Sequence, residues 1–329
     1  MRRPLIVIFF LLLGSLVVWQ LTDFGQPRIF EIKNPSAGSF MADWPGPTEQ
    51  PVSPFSEPGS TNFLLLGAPG AGNDAPDLTD TILIARLDPA QQKIFLFSLP
   101  RDLWVKIPQR QIFTKLNALY ALNKRNTGQE LTDLITKVQE ISGLLIDHYI
   151  FVDLTTVKTL VDLFGGVNLL VKEGIVDDQF PGPNHSFQRF EIKAGWRYLD
   201  GATALKYIRS RHSLNGDFDR IGRQQEVLQA LKQKVLALNF WDIGKFMDIY
   251  NALSANIKSD LSLWQIKSYW DKIKNIPGAN LVRNEINNQN LLTSSQVSLA
   301  GTLASVLQPK AGIENYEEIK SYVQEIIKN

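Results

Sequence analysis

TILIARLDPAQQKIFLFSL, residues 81–99, is the stretch on which the fold turns. Thr81–Leu87 and Lys93–Phe97 are rich in β-branched and aromatic residues, and Asp88-Pro89 between them is a turn signal, so the segment predicts a hairpin. Asn62–Leu66, an apolar run stopped by Gly67, predicts a first strand beside it. Downstream, Leu116–Asn123 and Leu131–Ser142 show helical spacing, and Tyr149–Val152 reads as another strand. Thr155–Phe164 carries Val157, Leu160, Val161 and Phe164 at i, i+3, i+4 and i+7, a helical stripe that ends at Gly165-Gly166. Val167–Val171 is a further strand. Helices and strands are mixed throughout, which predicts an α/β or α+β class with a mainly central sheet. Asp200–Ile208 and Arg220–Leu238 read as helices, the second with Leu228, Leu231, Val235 and Leu238 on one face. Beyond Trp241 helical patterns continue, with a short run at Asn280–Ile286 and a last helix from about Glu314 to Lys328.

The two ends of the chain differ in kind. Leu5–Leu21 is apolar apart from Ser15 and Gln20 and follows Arg2 and Arg3, so it predicts a single membrane-spanning anchor with a cytoplasmic N-terminus and the globular part outside the cell membrane. A cleaved signal peptide is the alternative, but no small-x-small site follows Val18. From Asp23 to Ser60, seven Pro, four Gly and five Ser occur among 38 residues, a composition that buries no core and reads as a stalk. The division expected is 1–22 anchor, 23–60 stalk, 61–240 a globular domain and 241–329 a C-terminal helical extension, packed on that domain or appended to it. The chain has no cysteine, which excludes disulfides, thiol nucleophiles and thiolate metal sites. His148, His185 and His212 have no ligand spacing to one another, so any metal is a hard cation held by carboxylates. A formal net charge of +1 and a purely local basic cluster argue against nucleic acid as a partner.

That cluster is YIRSRHSLNGDFDRIGRQQ, Tyr207–Gln225. Lys206 to Gln224 holds five Lys/Arg and two Asp, and nearly all the cations are guanidiniums, whose planar fork suits bidentate phosphate contact. The alternative is a structural network in which Asp217 and Asp219 pair with these arginines. Asp217 or Asp219 would cap the helix that follows. Arg220 and Gln224 would then share one side of its first turns, next to the positive end of the helix.

An ordered series of motifs now suggests a family. LLLGA (Leu64–Ala68), LTDTI (Leu78–Ile82), FSLPRDLWVKIP (Phe97–Pro108), TKLNALYA (Thr114–Ala121), LVDLFGGVNLLV (Leu160–Val171), LDGATALKYIRSR (Leu199–Arg211) and DFDRIGRQQ (Asp217–Gln225) resemble, in order and interval, the LytR-CpsA-Psr family. The resemblance implies a three-layer α-β-α sandwich with a central mixed sheet. It also implies an extracytoplasmic phosphotransferase that moves a glycan polymer from a polyprenyl-pyrophosphate carrier to a peptidoglycan hydroxyl with Mg²⁺, at the surface of the membrane lipid. A hydrolase of the same pyrophosphate and a non-catalytic binder of lipid-linked glycan are the alternatives.

Carried over residue by residue, the resemblance makes Arg101 a pyrophosphate contact and Asp102 its structural neighbour. Arg209 and Arg211 match the paired arginines of the family, and Asp217, Arg220 and Gln224 match the head of the following helix, with Arg223 an extra cation. Lys115 is a further phosphate contact, Asp80 matches the acid that holds Mg²⁺, and Asp217 or a loop Asp is the candidate proton acceptor. Two positions depart from the family pattern. Pro69 stands where a second metal carboxylate belongs, and Leu78 where an arginine belongs; Asp74 or Asp77 could supply the missing carboxylate.

Overall fold

The computed structural model describes residues 59–71, 75–126, 130–182, 186–210, 257–273, 280–299 and 301–328, with scattered positions between 223 and 234 and at 276 and 277. The predicted anchor and most of the stalk lie outside the described residues, as do Asp74, Arg211, Asp217, Arg220 and Gln224. No helix among the described residues is long and apolar enough to cross a membrane.

Leu64, Leu65 and Leu66 are each fully buried although they alternate between faces, so this strand is covered on both sides and reads as a continuous apolar run. It is β1 (Thr61–Ala68), and it lies inside a six-stranded sheet with β2 (Thr81–Asp88), β3 (Lys93–Leu99), β6 (His148–Asp153), β11 (Lys258–Ser259) and β12 (Leu281–Glu285). The order is β11-β6-β1-β2-β3-β12. β6 is parallel to β1 and β12 to β3, whereas β1–β2, β2–β3 and β11–β6 are antiparallel. The sheet is therefore mixed, with β1, β3, β6 and β12 running one way. The predicted hairpin is β2–β3, and its turn is held by Asp88, whose carboxylate accepts the Gln91 N–H at 3.0 Å.

Helices cover both faces. On one, Leu64, Leu66, Ile84 and Phe97 pack with Leu119 of α1 (Ala118–Asn126), Val138 of α2 (Thr132–Ser142) and Val323 of α6 (Glu317–Lys328). On the other, Phe63, Leu65, Leu83 and Leu96 pack with Ile266 of α5 (Leu263–Ile273). A second core joins α3 (Leu154–Leu163), β7 (Val167–Val171), β8 (Ile175–Pro181), β9 (Phe187–Ile192), β10 (Gly195–Leu199) and α4 (Gly201–Arg209). Described positions from 223 to 234 are helical, and Val227 and Leu231 complete that core.

The C-terminal segment corrects the helical expectation. Among its described residues, β11 and β12 become the two edges of the central sheet, and β13 (Leu292–Leu299) with β14 (Thr302–Pro309) form a hairpin. β13 is mostly exposed and β14 only partly buried, so they carry no clear apolar alternation by which a strand is recognised. The last helix begins at Glu317 rather than Glu314, because Glu314 has φ +64 and its carboxylate is taken by Lys137 Nζ at 2.8 Å and the Lys106 N–H at 2.8 Å.

Candidate active site

The carboxyl ends of β1, β3, β6 and β12 and the start of β2 share one edge of the sheet. Ile82 opposes Leu99 in the β2–β3 register, so Asp80, before β2, and Arg101, after β3, must meet there. They do: Arg101 Nη1 donates to Asp80 Oδ1 at 2.8 Å. Arg101 Nε reaches Asp102 Oδ2 at 3.4 Å, and Lys115 Nζ donates to Asp102 Oδ1 at 2.6 Å. The last pair follows from β4 (Trp104–Lys106) and β5 (Phe113–Lys115), whose register sets Trp104 opposite Lys115. Asp80, Arg101, Asp102 and Lys115 thus form one chain of alternating charge.

Asn117 fixes the two loops that carry it. Its N–H donates to the Arg101 carbonyl at 3.1 Å, and its carbonyl accepts from the Thr79 N–H at 3.1 Å. This clasp explains why α1 starts at Ala118 and not at Leu116 as the periodicity predicts. Nothing in the sequence pattern singles Asn117 out; it is buried backbone bonding between loops distant in sequence.

The ion pairs are half open to solvent, with side-chain exposure of 49% at Arg101 and 31% at Asp80. Exposed pairs of this kind contribute about 0–1 kcal/mol each. The cluster is therefore a weak source of stability, and its guanidinium is available to a stronger anion. Burial draws the Arg101 pKa down, but Asp80 and Asp102 together outweigh it and leave the group raised, so Arg101 is charged at any working pH.

Asp77, the other candidate metal ligand, is paired with Lys124 at 2.7 Å. Among the described residues no three His, Cys, Asp or Glu side chains gather as a metal cage. Asp153 ends β6 at the same edge and caps α3, accepting the Thr156 N–H at 3.0 Å. Gly70 (φ +73) comes so near that a Cβ there would lie 2.9 Å from Asp153. The order strand, Asp, helix around Asp153 is a cap signal that sequence reasoning passed over.

Arg209 and Arg223 belong to the second core. Gly201 donates its N–H to Asp162 at 2.7 Å, so α4 starts against the last turn of α3 and packs along it. Arg209 lies at the other end of α4. Its guanidinium lies 5.6 Å from the Phe180 ring centre. Arg223 is 6% exposed. Its Nε donates to the Tyr207 carbonyl at 3.0 Å, and its Nη2 donates to the Ser210 carbonyl. Ser210 in turn donates to the buried carboxylate of Asp177 at 2.8 Å. Tyr207 donates to Glu226 at 2.7 Å, and burial, first, then Glu226 push its phenol far above the ordinary range. This bracing sets the exit of the chain from α4, just after Arg209.

Fold and edge together define a mixed α/β protein with a cluster of paired charges at the carboxyl ends of its strands, where open α/β sheets bind ligands. The LytR_cpsA_psr family model matches residues 39–310, and the chain belongs to that family. A polyisoprenyl-teichoic acid--peptidoglycan teichoic acid transferase, TagU of Enterococcus faecalis, is 30% identical over 214 residues, which is 64% of this chain and 64% of the relative. The cell wall biosynthesis protein LcpA of Corynebacterium glutamicum is 29% identical over 263 residues, 68% of this chain and 49% of LcpA. The chain therefore spans less than two thirds of the length of either relative. The crystal structure of B. subtilis TagV has the same fold, with TM-score 0.53 at 21% identity, covering 83% of this chain and 99% of TagV.

Proposed function

We propose that this chain is an extracytoplasmic, membrane-anchored phosphotransferase that moves a glycan polymer from a polyprenyl-pyrophosphate carrier to a peptidoglycan hydroxyl. The observation that carries the reading is the Arg101 guanidinium, held between Asp80 and Asp102 at the carboxyl edge of the sheet. The names of the relatives support the class of substrate.

In the reaction, the acceptor oxygen attacks the phosphorus that bears the glycan. The bridging P–O bond of the pyrophosphate breaks, and its electron pair leaves with the lipid phosphate. Charge on the equatorial oxygens and the leaving group needs fixed cations more than covalent help. Arg101 would exchange its half-exposed carboxylates for phosphate oxygens, with Lys115 beside it and Arg209 entering from α4. Arg211, Arg220 and Gln224 are assigned to the same anion through the family pattern, and Asp217 or a loop Asp would take the acceptor proton. Arg223 braces the end of α4 and acts through Arg209, not directly on the ligand.

Mg²⁺, when bound, would neutralise charge on the phosphate oxygens. Asp80 fits it as a single carboxylate, because Mg²⁺ characteristically takes one or two carboxylates and completes its shell with phosphate and water. Asp77 would have to leave Lys124 to join.

The test is turnover of a polyprenyl-pyrophosphate glycan by the full chain, with peptidoglycan oligomers and Mg²⁺. A glycan–phosphate–peptidoglycan product is expected. Free glycan phosphate as the sole product would replace the reading with a hydrolase, and tight lipid binding without turnover would replace it with a binding protein.

A further inference from the structure

β7 and β10 form a two-stranded ribbon that closes the second core. Val167, Leu169 and Val171 point into that core, which leaves Asn168 and Leu170 on the outer face. Trp196 opposes Leu170 in the register, and Tyr198 opposes Asn168. These four side chains make one outer face. Trp196 is 71% exposed and Tyr198 63%, an unusual use of large rings on a ribbon that could close the core with polar residues outside.

The face is built in advance. The Tyr198 hydroxyl donates to the Gly165 carbonyl at 3.3 Å, and its ring lies so close over Gly166 that a Cβ there would fall 2.3 Å from it. Gly165 and Gly166 have φ +66 and +79, so the two glycines provide both the left-handed turn and the space beneath the ring. An aromatic fixed before its ligand arrives loses little entropy on binding.

We propose that this face is a binding platform for a neutral saccharide chain, with Trp196 and Tyr198 stacking under neighbouring sugar rings and Asn168 bonding to their hydroxyls. The proposal rests on the glycan-transfer reading above and adds a place for the carbohydrate. A sugar ring offers apolar C–H faces and a rim of hydroxyls, the complement of an aromatic face with an amide beside it. Trp196 and Tyr198 are two residues apart on one strand, about 6.6 Å, which sets them under successive rings. None of the four side chains carries charge. Of the cations next to the ribbon, Arg197 donates to the carbonyls of Lys193 and Ala194 at 2.9 and 2.8 Å, Lys172, itself 78% exposed, pairs with Glu226 at 3.6 Å, and Lys193 is exposed. An anionic lipid surface would be met by a cluster of free Lys and Arg around the rings, and Lys193 alone does not make one, so the occupant is a neutral glycan. The ribbon sits at the far end of α3 from Asp153, about 15 Å along the helix, a distance that a short saccharide chain spans from the pyrophosphate edge.

The full chain is titrated calorimetrically with chitotetraose, a neutral tetramer of N-acetylglucosamine, and in parallel with phosphatidylglycerol–phosphatidylethanolamine vesicles. Saturable chitotetraose binding is expected, weakened about tenfold by Trp196→Ala and by Tyr198→Ala, the loss typical of one truncated aromatic anchor. Trp196→Phe keeps a ring and should retain most of the affinity, which controls for folding. Absent chitotetraose binding, alanine variants of unchanged affinity, or Trp196-dependent binding to vesicles would each overturn the proposal. Failure of the platform would leave Arg101-dependent turnover intact, whereas failure of the transfer reading would abolish turnover and leave chitotetraose binding in place.

Discussion

Arg101 is where a single side chain joins fold to chemistry. Removing one preorganised charge donor from a transition state typically costs about 10²–10³ in kcat, so Arg101→Ala should lower turnover by that order while leaving the thermal unfolding midpoint almost unchanged. Arg101→Lys should restore little, because an ammonium lacks the fork that spans two carboxylates or two phosphate oxygens. A large loss of stability in Arg101→Ala would contradict the weak-ion-pair reading of the cluster. Asp200 makes a different kind of contribution. It caps α4, accepting the Thr203 N–H at 2.7 Å, and that backbone bond holds its carboxyl below the usual range. A depressed folded pKa adds stability that is complete above the unfolded value of about 3.9 and is lost as pH falls through the folded value. Thermal unfolding followed from pH 5 to pH 2 should show this acid-dependent loss in the native chain and less of it in Asp200→Asn. Asp200→Ala should cost about 1 kcal/mol at neutral pH, as loss of an N-cap does.

At the scale of elements, Gly165-Gly166 shows how much a short motif can carry. Periodicity predicts that α3 stops there, and the structure ends it at Leu163. The pair also holds the ring of Tyr198, which no local pattern foretells. Gly166→Ala should destabilise the chain by more than about 1 kcal/mol, since a Cβ is strained at positive φ and collides with the Tyr198 ring; urea unfolding measures it. The β2–β3 hairpin was legible because both its strands are apolar runs and Asp88-Pro89 marks its turn. The β13–β14 hairpin was not, because Ser, Thr and Gln alternate there with few buried apolar residues. Its position depends on a remote partner: Leu307 donates its N–H to the Asp102 carbonyl at 3.0 Å.

At the scale of the molecule, the C-terminal segment is part of the sheet. β12 pairs along the whole of its length with β3, and α6 buries Ile319, Val323 and Ile327. A chain ended at residue 240 would expose the outer edge of β3 and one side of both cores of the sheet, so it should lose the cooperative urea transition of the full chain. A cooperative transition in the truncated chain would show that 61–240 folds alone. Leu83→Ala, at a fully buried site of the opposite face, should cost about 2–5 kcal/mol in urea unfolding.

The sequence by itself determined the class of fold, the order β1, β2, β3, α1, α2, β6, α3, β7 and α4, and the family, because buried strands, helical stripes and ordered motifs are local or nearly local patterns; β4, β5, β8, β9 and β10 were not legible in it. It also named Asp80, Arg101 and Lys115 as separate candidates, with Asp102 a structural neighbour of Arg101. Only the tertiary structure decided that these four form one chain of charge, since the antiparallel register of β2 with β3 and of β4 with β5 brings together residues far apart in sequence. The structure likewise turned Arg223 inward to two backbone carbonyls and placed β12 at the edge of the sheet. Both outcomes depend on which buried polar groups find partners, and no periodicity records that.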